Sequence, residues 1–358
     1  MIPVNEITNL CLAIDDWLRP DNSELKLAID RTVEEGFFSF EDIKHQIQVL
    51  KKTLNEESIR EWADRNRSSD SDGGQKRILF LHAGNLPLVG VQDVIAATLC
   101  NVSYGGKISR KDPYLLPTLL TVLRKHGFLK NSVWSTEIDD FKNFRAEAMV
   151  FSGSGSNAEV VRNKVLHMNA LKAGAPELIR SAHFSIAFID ETSSSTMQQL
   201  TEAVFRYGGM GCRSVKIVIS PVQLNNIRCE FTDYIESFWL KNPQYKKPPA
   251  SLFHRFACNK AVGIEQSWLD DFLIEETEKR PEHDFVLHWV EGGLKKLHEI
   301  TARFSGGLQS VYLCTPETEA ERLSAEIELL KNAQSPPVCW QPDGIDTIAW
   351  ILSLSNLD

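Results

Sequence analysis

No stretch of this chain approaches the ~20 consecutive apolar residues that a membrane span needs, which argues against a helical membrane anchor. Met1 to Asp16 carries Glu6, Asp15 and Asp16 with no basic cluster ahead of an apolar run, so it does not read as a secretory signal. Cysteine is sparse and scattered: the seven, at 11, 100, 212, 229, 258, 314 and 339, include no CxxC pair and no Cys/His cluster at metal-ligand spacing. An odd, dispersed set points to reduced thiols in a cytoplasm, and no structural metal is implied. Positive charge is in deficit, with a net charge of −9, which speaks against a nucleic-acid surface. Internal repeats and low-complexity tracts are lacking as well.

What is present suits an ordinary globular protein. With 358 residues and 42% hydrophobic content, the chain can bury sizeable cores in about two domains. Leu10, Ile14 and Leu18, then Ile43, Ile47 and Leu50, recur at helical spacing and predict a helical leader over residues 1–66. Arg67 to Gly74 (RSSDSDGG) has the composition of a solvated linker. Beyond it, short β runs alternate with helical segments: 77–82, 102–109, 148–152, 184–190, 215–220, 285–290 and 310–314. That alternation predicts α/β architecture with parallel sheets. Loops are expected at 191–196 (ETSSST), 246–250 (KKPPA) and 334–337 (QSPP).

Four segments carry candidate chemistry. In Gly208-Gly209-Met210-Gly211-Cys212-Arg213-Ser214, small residues leave the Cys212 sulfur approachable, while Arg213 and Lys216 favour its thiolate, as a nucleophile requires. An isolated cysteine is also commonly a small buried hydrophobe. Asn85, in His82-Ala83-Gly84-Asn85-Leu86-Pro87-Leu88, follows a strand; its amide suits an oxyanion donor, or equally an Asx-turn cap before a helix starting near Pro87. Asn101 to Arg110 runs through a glycine pair to Lys107, Ser109 and Arg110, which fit the ribose and phosphate of a nucleotide or a solvated strand end. Phe151-Ser152-Gly153-Ser154-Gly155 ends a strand and opens a helix, so the backbone at Gly153 and Ser154 is placed to face a pyrophosphate.

Together and in this order, these segments resemble the aldehyde dehydrogenase superfamily, most closely its LuxC-type acyl-CoA reductase branch. Asn85-Leu86-Pro87 is similar to its Asn-x-Pro segment, Lys107-Ile108-Ser109-Arg110 to Lys-Pro-Ser-Glu, Phe151-Ser152-Gly153-Ser154 to Phe-Thr-Gly-Ser, and Gly209-Met210-Gly211-Cys212 to Gly-Gln-x-Cys. Gly306 to Val311 is similar to a later Gly-Leu-Ser-Ala-x-Val strand entry. The resemblance spans residues 77–315. It implies an aldehyde-dehydrogenase-like fold, with a doubly wound cofactor domain over 75–194 behind the leader and linker of 1–74. An α/β catalytic domain over 195–335 and a C-terminal return segment over 336–358 complete it. It further implies a cytoplasmic enzyme, commonly a homo-oligomer, that reduces an acyl thioester of coenzyme A or an acyl-carrier protein to an aldehyde. Cys212 is then the nucleophile, and Asn85 with the Cys212 backbone N–H the oxyanion donors.

Two departures refine this expectation. Where aldehyde oxidisers carry Glu-Leu-Gly-Gly-Lys, this chain has Glu177-Leu178-Ile179-Arg180-Ser181-Ala182-His183. Glu177 stands near the place of the hydrolytic base but equally suits a solvated helix position, and His183 a packed histidine. Weak hydrolytic machinery suits a thioester reductase. Arg110 replaces an acid that binds the adenosine ribose, which predicts NADPH in preference to NADH. Glu291 lies in the region of a ribose-binding glutamate without a matching motif. Phe205, Phe238, Trp239 and Trp289 are apolar enough to meet an acyl chain but read first as core. A cysteine acyltransferase or thioesterase, an aldehyde-oxidising dehydrogenase and a noncatalytic scaffold remain the competing classes.

Overall fold

The first 65 residues fold as four amphipathic helices, α1 (Val4–Leu18), α2 (Ser23–Glu34), α3 (Phe40–Thr53) and α4 (Glu56–Arg65). Three begin at side-chain caps that satisfy otherwise orphaned N–H groups: Asn22 accepts from Leu25 at 3.0 Å, Ser39 from Asp42 at 3.0 Å and Asn55 from Ser58 at 2.9 Å. The computed structural model describes residues 1–67, 76–181, 184–243, 250–269, 272–282, 285–314 and 325–354. Most of the expected linker after Arg67, the KKPPA loop before Ala250, and His183 lie outside the described residues.

The leader belongs to the first of two units, Met1–Ser181 with Pro337–Asp358. After the four helices come β1 (Arg77–Leu81), α5 (Val91–Leu99), β2 (Ser103–Lys107), α6 (Leu115–Lys125), β3 (Val133–Ser135), β4 (Ala148–Ser152), α7 (Gly155–His167) and β5 (Glu177–Arg180). These strands form one parallel sheet in the order β3-β2-β1-β4-β5. Successive residues of β1 face opposite ways. Ile78 and Phe80 join a core with Ile7, Trp17, Trp62 and Leu119, while Leu79 and Leu81 pack with Phe151, Ala158 and Val165. Both faces are therefore covered, as a doubly wound sheet requires.

The leader and the C-terminus share that core. Trp17 Nε1 donates to Thr118 Oγ1 at 2.7 Å, and Trp62 Nε1 donates to the Asp346 carboxylate at 3.0 Å. Asp346 in turn caps the final helix of the chain, Thr347–Ser353.

The second unit, Ala182–Pro336, starts earlier than the expected boundary at residue 195. Its first strand is β6 (Phe184–Phe188), and the ETSSST segment opens helix α8 (Ser194–Phe205), capped by Ser193. There follow β7 (Val215–Ser220), α9 (Leu224–Lys241), α10 (Ala250–Ala261), β8 (Gln266–Leu269), β9 (Phe272–Glu276), β10 (Val286–Glu291), α11 (Leu294–Phe304), β11 (Leu308–Leu313) and β12 (Glu326–Leu329). The sheet order is β12-β11-β6-β7-β10-β9-β8, and among these pairs only β8 with β9 is antiparallel. Every residue of β6 and β7 is buried, which explains why they are apolar apart from Ser185, Lys216 and Ser220.

Phe205, Phe238 and Trp289 are core, at 2%, 7% and 1% exposure, with Trp239 packed edge-on against Phe205. No helix of the described residues is long and apolar enough to cross a membrane, and no described cluster of acids, histidines and cysteines would hold a metal ion.

Candidate active site

In the first sheet the chain runs β1 to β2 to β3 in one direction, then returns to lay β4 on the other side of β1. Such a reversal opens a crevice outside the carboxyl ends of the two strands, where open α/β sheets bind ligands. Parallel register sets Leu81 of β1 beside Lys107 of β2 and beside Phe151 of β4. The segments carrying Asn85, then Lys107, Ser109 and Arg110, then Gly153 and Ser154, therefore leave the sheet along one edge.

Close packing fixes the Asn85 segment. A Cβ on Gly84 would lie 2.0 Å from Ser109 Oγ, so glycine is what allows the β1 exit to press against the β2 exit. Asp112, buried at 3% exposure, accepts from the backbone N–H of Leu88 at 2.7 Å and of Leu115 at 3.3 Å. Burial pushes its carboxyl up to about 6. Asn85 itself is half-buried, and α5 begins at Val91 rather than near Pro87.

Beneath this segment lies a buried polar network. His82 Nε2 and the Tyr104 hydroxyl are 2.6 Å apart, Arg180 donates to Asp93 at 2.7 Å, and its other terminal nitrogen donates to Thr347 at 2.7 Å. Burial lowers His82 to about 4, so the ring is neutral and its 3.7 Å approach to Asp93 is not an ion pair.

The edge suits an anionic ligand. Ser154 caps α7 without accepting from a backbone N–H of the helix, its Oγ lying 3.1 Å from Ser156 Oγ; the first turn carries no acid, and residues 154–157 are exposed. The positive end of the helix is thus open to a phosphate. Lys107 is half-buried, and burial with the neighbouring Arg110 lowers its pKa. Arg110 is exposed, and its guanidinium is paired with Glu137, Nε donating to Oε1 at 3.0 Å. Sequence reading missed Glu137, because β3, the strand it follows, has only three residues and the pair spans 27 positions.

Glu177 is not a helix residue. It opens strand β5 and accepts from Arg162 Nε at 2.7 Å. Glu291 ends β10, where Gln223 Nε2 donates to it at 3.3 Å.

Cys212 belongs to the second unit, on the turn that enters β7. The preceding helical turn, Arg206–Gly209, contains three left-handed residues, Tyr207 at φ 58°, Gly208 at 65° and Gly209 at 69°. A Cβ on Gly209 would lie 2.9 Å from the Val204 carbonyl oxygen. The turn closes with Ser214 N–H donating to the Gly211 carbonyl at 2.9 Å, and Gly211 N–H donating to Ser214 Oγ at 3.2 Å. Ser185 Oγ donates to the Cys212 carbonyl at 3.0 Å. Among residues 211–220, Cys212 alone is not fully buried. None of the seven cysteines is in a disulfide.

The two cations expected to favour the thiolate are placed differently. Arg213 is 6% exposed and donates to both oxygens of Glu328 at 2.7 Å, to the Ala333 carbonyl at 2.8 Å and to the Asn332 carbonyl at 3.0 Å. Its charge still interacts with Cys212, but its first role is to clamp the turn. Lys216 is buried, with its Nζ 3.5 Å from where a Cβ on Gly209 would lie. Beside this clamp, burial and the charge of Glu328 push Glu326 up to about 7, and its buried Oε2 has no hydrogen-bond partner.

No family model and no curated protein matches the chain. Solved structures do match, and they show that its architecture is the aldehyde dehydrogenase fold. Aldehyde dehydrogenase 21 from Physcomitrella patens, solved with the reaction product succinate, is 13% identical with a TM-score of 0.66, over 98% of this chain and 84% of that one. An indole-3-acetaldehyde dehydrogenase from P. syringae, solved with NAD+, is 11% identical with a TM-score of 0.60, over 92% and 77%. Proline utilization A from Bradyrhizobium japonicum is 12% identical with a TM-score of 0.66, over 99% of this chain and 42% of that one. At these identities the likeness is one of fold.

Proposed function

We propose that this protein is a nicotinamide-dependent oxidoreductase of aldehyde-level chemistry, and more narrowly a reductase of acyl thioesters. The observation that carries the proposal is Cys212: a partly exposed residue on a turn whose other members, Gly211, Arg213 and Ser214, are buried and tied down. A nucleophile held in one geometry needs no reorganisation at the moment of attack. In this reading the Cys212 thiolate attacks the thioester carbonyl, the carbon–sulfur bond to the carrier breaks, and the carrier leaves as a thiol, giving an acyl group on Cys212. A nicotinamide held by the residues named below would supply the hydride for taking the acyl carbon to the aldehyde level. Collapse then releases aldehyde and regenerates the thiolate. Asn85 and the Cys212 N–H are assigned the oxyanion in both tetrahedral stages.

Lys107, Ser109 and Arg110 are assigned the adenosine ribose with its phosphate, and Gly153 and Ser154 the pyrophosphate at the α7 N-terminus. Arg110 favours a 2′-phosphate and hence NADPH. Reduction is favoured over aldehyde oxidation because Glu177, which the sequence resemblance sets near the hydrolytic base, is engaged by Arg162 at 2.7 Å. The test is NADPH consumption at 340 nm with acyl-CoA thioesters of increasing chain length, on wild type and Cys212→Ala. Consumption matched by coenzyme A release and lost in the variant supports the proposal; NADH formation from aldehyde and NAD+, with no NADPH consumed on any thioester, would replace it with a dehydrogenase.

A further inference from the structure

We propose that Glu137 sets the cofactor preference of this chain by competing with a ribose 2′-phosphate for the guanidinium of Arg110, a reading that rests on the nicotinamide-cofactor assignment above. Arg110 leaves the carboxyl end of β2, and Glu137 lies two residues past the end of β3, its neighbour in the sheet. Their meeting is built into the backbone. Lys107 and Ser135 are in register, Ile108 N–H donates to the Ser135 carbonyl at 2.8 Å, and Glu137 N–H donates to Ser135 Oγ at 3.0 Å.

The two anions meet at one edge of the cation. Glu137 takes the Nε and Nη2 edge of the Arg110 guanidinium with both its oxygens, so a phosphate seeking the same two-point grip meets the carboxylate there. An unphosphorylated ribose leaves the pair intact and offers hydroxyl donors to the carboxylate. A 2′-phosphate gripped at that edge must displace Glu137, and one gripped at the Nη1 side must tolerate its negative charge nearby. The side chains are 72% and 48% exposed, so the pair is weak enough for phosphate to displace it. The preference for NADPH that Arg110 alone would give is thereby reduced in a graded way.

The test is calorimetric binding of adenosine 2′,5′-bisphosphate and adenosine 5′-monophosphate to the full chain. It compares wild type, Glu137→Gln, Arg110→Gln and the double variant, with thermal midpoints confirming that each is folded. Glu137→Gln is expected to raise the ratio of bisphosphate to monophosphate affinity by about three- to tenfold, the scale of an exposed ion pair plus a relieved repulsion. The same change in the Arg110→Gln background is expected to have a smaller effect. An unchanged or lower ratio in Glu137→Gln, with both nucleotides still binding, would overturn the inference and leave the cofactor site standing. Failure of wild type to bind either nucleotide would overturn both.

Discussion

Arg213 and Glu328 form a two-point ion pair, each carboxylate oxygen 2.7 Å from a guanidinium nitrogen, at 7% and 10% side-chain exposure. The pair ties the residue after Cys212 to strand β12, so the turn bearing Cys212 is held from its own C-terminal side. Removing one partner leaves the other charge buried. Arg213→Met is expected to destabilise the second unit by about 3–5 kcal/mol, and Arg213→Lys to recover little, because an ammonium cannot reproduce the two-point geometry. Denaturant unfolding checks both.

Gly209 combines a φ of 69° with a would-be Cβ 2.9 Å from a backbone oxygen. Gly209→Ala is expected to cost about 1–3 kcal/mol from strain and to slow alkylation of Cys212 by iodoacetamide as the turn shifts. Unchanged alkylation in a folded variant would show that the left-handed run does not position the sulfur.

Glu326 gives a stability signature with a definite sign. Unfolded, its carboxyl titrates near ~4.3; folded, near about 7. Across that window the native state keeps a proton the unfolded chain releases, so its contribution is fully present below the lower value and is lost as pH rises towards 7. Glu326→Gln is therefore expected to melt higher than wild type at pH 8 and to show little difference at pH 4.5. Thermal unfolding at the two pH values distinguishes this from a uniform shift.

Asn85→Ala is expected to lower kcat by ~10²–10³ with little change in KM, the signature of a lost oxyanion donor. A change confined to KM would reassign Asn85 to turn formation or binding.

The legible parts of this chain were those whose signal is local. The apolar stretches 78–81 and 217–219 announce buried strands, because both faces of a parallel sheet are covered. Short or acid-bearing strands did not. Val133–Ser135 is three residues long, and Glu326–Leu329 alternates glutamate with apolar residues, tolerable because Glu328 meets Arg213 from 115 positions away. Glu177–Arg180 joined the edge of the first sheet although its composition suits a helix equally well. The same reasoning explains the site. Glycine, asparagine and cysteine at strand exits could be picked out singly, whereas Arg110 with Glu137 and Arg213 with Glu328 are products of the fold.

The central claim is that Cys212 carries the acyl group. Its most direct test is intact-protein mass spectrometry of the chain mixed with an acyl-CoA in the absence of any nicotinamide, followed by peptide mapping. The account predicts one acyl group on Cys212, one equivalent of coenzyme A released, and no adduct in Cys212→Ser. An adduct on another cysteine, or coenzyme A release that persists in the variant, would contradict it.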